Sequence, residues 1–218
     1  MTSFRVAICL LAGLVASGCQ SAGNGSGGQA FTFETANCVL GQPPPQWTPA
    51  EADGVGTPAE WTIAEDRSAP VGARVLSVES KNPERTFNLC ILDEFVAEDC
   101  DVAANIKPRS GQDDQGGGLV VRLQDSQNYY LARWSPLEKN LRLYLVENGK
   151  RLTIKSAELD VAPGWHKIAL KCRGPAFEVS FDGAVVLSAT NSAITKKGKV
   201  GLWTKADACS SFDDIELR

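Results

Sequence analysis

The chain has 218 residues, a net charge of −4, and 43% apolar against 22% charged residues. That is enough apolar material for one sizeable β domain or two small ones with a real core. The acidic balance argues against a nucleic-acid partner, because neutralising phosphates requires a basic surface.

The N-terminus reads as a targeting segment. Arg5 precedes "VAICLLAGLVA" (Val6 to Ala16), an apolar run shorter than the about 20 residues needed to span a bilayer. "ASGC" (Ala16 to Cys19) resembles the lipobox of bacterial lipoproteins, which makes residues 1–18 the signal peptide and Cys19 the lipidated residue. More than one acyl chain on Cys19 would make membrane anchoring stable. Gln20 stands where Asp would resemble an inner-membrane retention signal. The expected address is therefore the cell envelope and, for a Gram-negative host, the outer membrane. Residues 19–29 form the lipidated cysteine and a Gly/Ser tether, "QSAGNGSGGQ", and residues 30–218 the folded domain.

Along that domain "AFTFETA" alternates Phe31 and Phe33 with polar neighbours. "GQPPPQWTPAEADGVGTPAEW" (Gly41 to Trp61) is rich in Pro and Gly and predicts an ordered surface loop pinned by Trp47 and Trp61. "DEFVAED" (Asp93 to Asp99) reads as a polar connection. From "RVLSVES" onward, short alternating runs follow one another, broken by Asn148-Gly149, Pro163-Gly164 and Asp182-Gly183. No stretch has a sustained helical period. About a dozen strands at short spacing predict an all-β sandwich or barrel.

Period 2 assigns faces. It sends Leu119, Val121, Leu123, Tyr130, Ala132, Trp134, Leu141, Leu143 and Leu145 inward. It sends Arg122, Tyr129, Arg133, Arg142 and Tyr144 outward, onto one shared face if their strands are neighbours. Aromatic rings beside convergent polar groups suit a sugar. The alternative is a solvated face with cross-strand Arg–acid pairs. Trp203 and Lys205 belong to the rim of this face, or Trp203 to the core.

"GGGLVVRLQDSQNYYLAR", "NLRLYLVENGKR", "APGWHKIALKCRG", "VSFDGAVVL" and "GKVGLWTKADACSSFDDIEL" are similar, in order and spacing, to bacterial concanavalin A-like and laminin-G-like jelly-roll domains. The nearest group is the 3-keto-disaccharide hydrolase-like (family-sixteen-glycoside-hydrolase-like) one. The resemblance spans Ala30 to Arg218. It implies an antiparallel two-sheet jelly-roll sandwich, one sheet concave, with the first and last strands paired. Some such modules hold a structural calcium near the last strand, where Glu34, Asp213 and Asp214 would supply oxygen ligands.

Catalysis has weaker support. A retaining glycosidase of the sixteenth family would show Glu-x-Asp-x-x-Glu, placing two carboxylates about 5–5.5 Å apart. "ELD" (Glu158 to Asp160) begins this run but has no second Glu. His166, the chain's single histidine, shares a face with Ile168 and Leu170 and reads as a hydrogen-bonded, near-core imidazole. Asp113 and Asp114 read as solvated acids at a loop tip. Cys38, Cys90, Cys100, Cys172 and Cys209 remain after the signal, an odd number without C-x-x-C spacing. An oxidising compartment would allow a disulfide or two, whereas Cys90, Cys100 and Cys172 lie in strand-like runs and read as small core residues. The sequence thus predicts an envelope-anchored sandwich that binds a ligand, carbohydrate first, without catalysis. A hydrolase of the 3-keto-disaccharide type needs two close carboxylates or a metal on the concave face. A protein-interaction module needs an exposed apolar patch.

Overall fold

The computed structural model describes residues 28–52 and 56–218. The segment expected to be a signal peptide, Cys19 and most of the expected tether lie outside these residues. Fifteen strands and no helix occur among them, in two antiparallel sheets. The first sheet runs β13 (Ala184–Thr190), β12 (Ala176–Phe181), β11 (His166–Arg173), β6 (Cys100–Ser110), β15 (Cys209–Leu217), β4 (Arg74–Glu79) and β3 (Glu60–Glu65). In it, β1 (Gln29–Phe31) also pairs with β15, so the first and last strands meet. The second sheet runs β10 (Lys150–Glu158), β9 (Asn140–Glu147), β8 (Asn128–Ser135), β7 (Gly117–Asp125), β14 (Gly198–Lys205), β5 (Phe87–Ala97) and β2 (Trp47–Ala52). The architecture is the expected all-β sandwich.

Turn chemistry sets the register. Asn148-Gly149 and Asp182-Gly183 both have positive φ at their two positions, as tight hairpins between β9 and β10 and between β12 and β13 require. Alternation then sorts the side chains. Leu119, Val121, Tyr130, Ala132, Trp134, Leu141, Leu143 and Leu145 enter the core between the sheets. There Trp134 packs edge-on against Phe181 and His166, with ring centroids 5.2 and 5.0 Å away. Burying such a side chain contributes about 1.5–3 kcal/mol. His166 is tied at Nδ1 to Asp182 (2.7 Å) and at Nε2 to the Ala162 carbonyl (3.2 Å), the near-core role expected of it.

Two connections expected to be irregular contain strand. Part of the Pro-rich segment forms β2, an edge strand, where Pro49 removes no ladder bond on its open side. Trp47 and Trp61 are buried, as expected of the residues that pin this segment. Likewise β5 continues through Asp93 and Glu94, and only Glu98 and Asp99 turn the chain into β6. Cys90, Cys100, Cys172 and Cys209 are buried free thiols, so no disulfide joins any two of them. Cys100 and Cys172 stand directly opposite each other on β6 and β11. Cys38 is also buried.

Candidate functional site

The outer face of the second sheet carries its own cluster. Phe87, Leu89, Val120, Tyr129, Leu131, Tyr144, Val146 and Trp203 pack there, away from the main core. One row crosses the sheet as Leu89, Trp203, Gly118, Arg133, Arg142 and Ser156, each opposite the next on neighbouring strands. Gly118 lets Leu131 and the β8 backbone close in between Trp203 and Arg133. A Cβ there would lie 2.5 Å from the Ala132 carbonyl oxygen and 2.6 Å from Leu131 Cδ1.

Arg151, from the edge strand β10, lies over this cluster. Its guanidinium is 4.6 Å from the Tyr144 ring centroid, 5.2 Å from Phe87 and 5.6 Å from Trp203. Phe87 is on β5, five strands away in the sheet order. Strands lie about 4.8 Å apart, so no arginine could reach across a flat sheet. The sheet therefore curls toward this face, which is concave.

A charged network occupies the floor and one side of the hollow. Arg133 NH2 donates to both oxygens of Asp114, at 2.7 and 2.8 Å, and meets Glu138 at 3.0 Å. Arg142 pairs with the other oxygen of Glu138 at 2.8 Å and donates to the Tyr144 hydroxyl at 3.3 Å. Lys205 Nζ lies 3.8 Å from Asp114 and 3.6 Å from Glu84. Arg133 and Asp114 are buried, whereas about a third of Arg142 and of Glu138 is exposed. Floor and rim are thus distinct. Asp207 fixes the loop that carries Asp114: its carboxylate accepts the amides of Gln112, Asp113 and Asp114 at 2.6, 3.0 and 3.1 Å. Burial raises the Asp207 pKa, but those amides prevail and lower it.

The two carboxylates on Arg133 differ electrostatically. Burial pushes the Asp114 carboxyl above its ordinary value despite the guanidinium beside it. Glu138 also meets a burial penalty, but Arg133 and its other donors overcome it and hold it at about 2. Burial alone would weaken the Arg133 charge, and the two carboxylates more than restore it. Three guanidinium nitrogens are nevertheless buried without a hydrogen-bond partner: Arg133 Nε, Arg133 NH1 and Arg151 NH1.

Of the five residues expected to share this face, four do. Tyr129, Arg133, Arg142 and Tyr144 gather here, with the Tyr129 hydroxyl accepting from Trp203 Nε1 at 3.2 Å. Arg122 does not. A β-bulge between Val121 and Asp125 breaks the alternation, with Arg122 at φ +50°. Its guanidinium donates to the carbonyls of Glu98 (2.8 Å), Ile194 (2.9 Å) and Gly174 (2.7 Å), and packs over Phe177 at 5.6 Å. It ties together the β5–β6 turn, the β11–β12 turn and the β13–β14 connection. Asp114, expected at a solvated loop tip, is instead buried at the site. Asp114, Glu138 and Arg151 were not among the expected site residues. Arg151 alone had a legible signal, its place in the alternating run "KRLTIKS".

Of the carboxylates assigned to calcium, only Asp213 Oδ1 is buried without a partner. Glu34 accepts the amides of Ala73 and Arg74. Asp213 Oδ2 accepts the Val71 amide at 2.8 Å, and Asp214 pairs with Lys167 at 3.3 Å. The register of β15 shifts at this point, with Asp214 at positive φ. Among the described residues no three His, Cys, Asp or Glu side chains are arranged to hold a metal, so this set does not fit the ion.

A depression on the first sheet is lined by Lys171, Arg173, Phe177, Glu178, Ser188 and Thr190. Its charges are mutually satisfied, Lys171 by Glu178 at 3.0 Å and Arg173 by Asp101 at 2.9 Å. It presents no buried unpaired donor, so the chemistry favours the concave face of the second sheet.

No protein-family model matches the chain. No curated protein matches it significantly. Solved structures do resemble it. The carbohydrate-binding module CBM66 from Bacillus subtilis superposes with a TM-score of 0.62 at 19% identity, covering 78% of this chain and 94% of that one. The Bacillus licheniformis beta-glucanase gives 0.58 at 14% identity, covering 88% and 97%. The cellulose induced protein Cip1 gives 0.57 at 13% identity, covering 79% and 91%. At these identities the likeness establishes the jelly-roll sandwich fold and nothing finer.

Proposed function

We propose that this protein binds carbohydrate on the concave face of its second sheet, and that it does so in the cell envelope, anchored through a lipid on Cys19. One observation carries the binding claim: the rings of Tyr144, Trp203 and Phe87 converge beneath Arg151, beside the Arg133–Asp114–Glu138–Arg142 network. Ring faces can pack against the C–H surface of a sugar while convergent charged groups fix its hydroxyls. The fold supports the same reading, since a carbohydrate-binding module and a beta-glucanase are built on it.

Hydrolysis, in the manner of the 3-keto-disaccharide group, is the second reading. It is favoured by the presence of two carboxylates, Asp114 and Glu138, whose pKa values are pushed in opposite directions. Such splitting is how paired carboxylates divide acid and base roles. Against it, both are held by the same nitrogen of Arg133, and Asp114 is wholly buried. Asp114 is thus closed off from solvent and Glu138 is left without a second accessible carboxylate, so the geometry favours binding.

The test is a glycan array probed with the wild-type protein and with Arg142→Ala. Binding that is lost in the folded variant supports the proposal, and a blank array contradicts it. Release of free sugar from 3-keto-glycosides would instead establish the hydrolase.

A further inference from the structure

Among the described residues, the charges of the concave face do not balance. Arg133 has Asp114 and Glu138, Arg142 has Glu138, and Lys205 has Asp114 and Glu84. Arg151 has aromatic rings around it and, among the described residues, no carboxylate partner. Its NH1 is buried and unpartnered, as are NH1 and Nε of Arg133, a side chain with no exposed surface. A guanidinium has no acceptor of its own and cannot lose its charge, so these donors can be satisfied only from outside the side chain. Leaving them unsatisfied in a dry site is costly.

Among the described residues, donors exceed acceptors and one positive charge meets no carboxylate, which fits a partner of a particular kind. It must accept hydrogen bonds and carry negative charge. A hydroxyl group meets the first requirement and not the second. A carboxylate meets both, and its two oxygens match the fork of a guanidinium. Tyr144 and Trp203 are buried beneath Arg151, and they become stacking surface for a sugar ring bearing that group once Arg151 moves aside.

We infer that the site takes an acidic carbohydrate, its carboxylate received by the free edges of Arg133 and Arg151. This rests on the carbohydrate reading above and names the sugar class within it. Arg151, on an edge strand whose neighbouring side chains are largely exposed, is the cover over the rings. It would move aside from Tyr144 and Trp203 as its guanidinium takes up the carboxylate.

Calorimetric titration of the protein with short oligogalacturonate and alginate oligomers tests this, each compared with its fully methyl-esterified form and with a neutral cello-oligosaccharide. The acid form of at least one oligomer should bind at least tenfold more tightly than its ester. Arg151→Gln should abolish the preference, and Arg151→Lys, which keeps the charge, should retain part of it. A thermal melt shows that each variant is folded. Equal affinity for acid and ester, or binding of the neutral oligosaccharide alone, overturns the acidic-sugar inference and leaves the carbohydrate reading standing. Binding of none of these, with a blank glycan array, overturns both.

Discussion

Arg133 reaches Asp114 through a single nitrogen, 2.7 Å from one carboxylate oxygen and 2.8 Å from the other, and neither side chain is more than 1% exposed. The same nitrogen meets Glu138 at 3.0 Å. The ion pair is therefore part of the fold as well as of the site. Breaking a buried pair from one side strands a charge and costs about 3–5 kcal/mol. Arg133→Ala and Asp114→Ala should each lower stability by that order in urea denaturation. Arg142→Ala, whose partner Glu138 is partly exposed, should change stability by less than about 1 kcal/mol. Near-equal effects at the three positions would contradict the division into floor and rim.

Arg122 should behave as a structural residue. Removing it leaves the carbonyls of Glu98, Ile194 and Gly174 without their donor. Hydrogen bonds to a charged group contribute about 1.5–3 kcal/mol each, and unsatisfied buried acceptors add to the loss. Arg122→Ala should lower the unfolding free energy by about 3 kcal/mol or more, while the folded fraction binds glycan with unchanged affinity. Loss of binding without loss of stability would return Arg122 to the site.

Asp213 gives stability a specific pH dependence. Burial raises its pKa to about 6, against the opposing pull of the Val71 amide, and its Oδ1 has no partner. In the unfolded chain the value returns to about 3.9. Between these values the folded state holds the extra proton, so the contribution of Asp213 is favourable at low pH and declines as pH rises through the window. By neutral pH the charged form costs about 3 kcal/mol as an order of magnitude. Asp213→Asn should match wild type near pH 3 and exceed it at pH 7.5, measured by denaturant unfolding at each pH. A difference independent of pH would contradict this assignment.

The core thiols should be unreactive. Burial raises the Cys90 thiol well above its ordinary value, Cys100 to about 12, and Cys172 also upward. A thiolate is the reacting species. Ellman's reagent should therefore label these three cysteines slowly in the native protein and completely in denaturant. Rapid native labelling would show that the strands carrying them open readily.

The sandwich was legible because alternation and turn residues act locally. Leu141, Leu143 and Leu145 point inward while Tyr144 points outward for no reason beyond strand geometry. Arg122 was misplaced by the same rule, because a bulge adds a residue and no alternating pattern reveals it. Asp114 was misread because its burial depends on a loop held by Asp207, 93 residues further along the chain. Arg151 meets Phe87 and Trp203 only because the sheet is curved, a property of all seven strands together rather than of any one. The Pro-rich segment yielded β2 because it lies at an edge, and edge position is a matter of topology. Half of the site was therefore readable as strand pattern. The other half, the counter-charges and the cover, comes from tertiary packing.

The central claim is that a sugar sits between Arg133, Arg142 and Trp203 on the concave face. It is tested most directly by NMR titration of the isotope-labelled protein with the neutral and acidic oligosaccharides named above. Binding there should concentrate shifts in the Trp203 indole N–H and in backbone amides of β8 and β9, with the outer face of the first sheet undisturbed. Shifts centred instead on Lys171, Phe177 and Glu178, or none with any sugar, would contradict it.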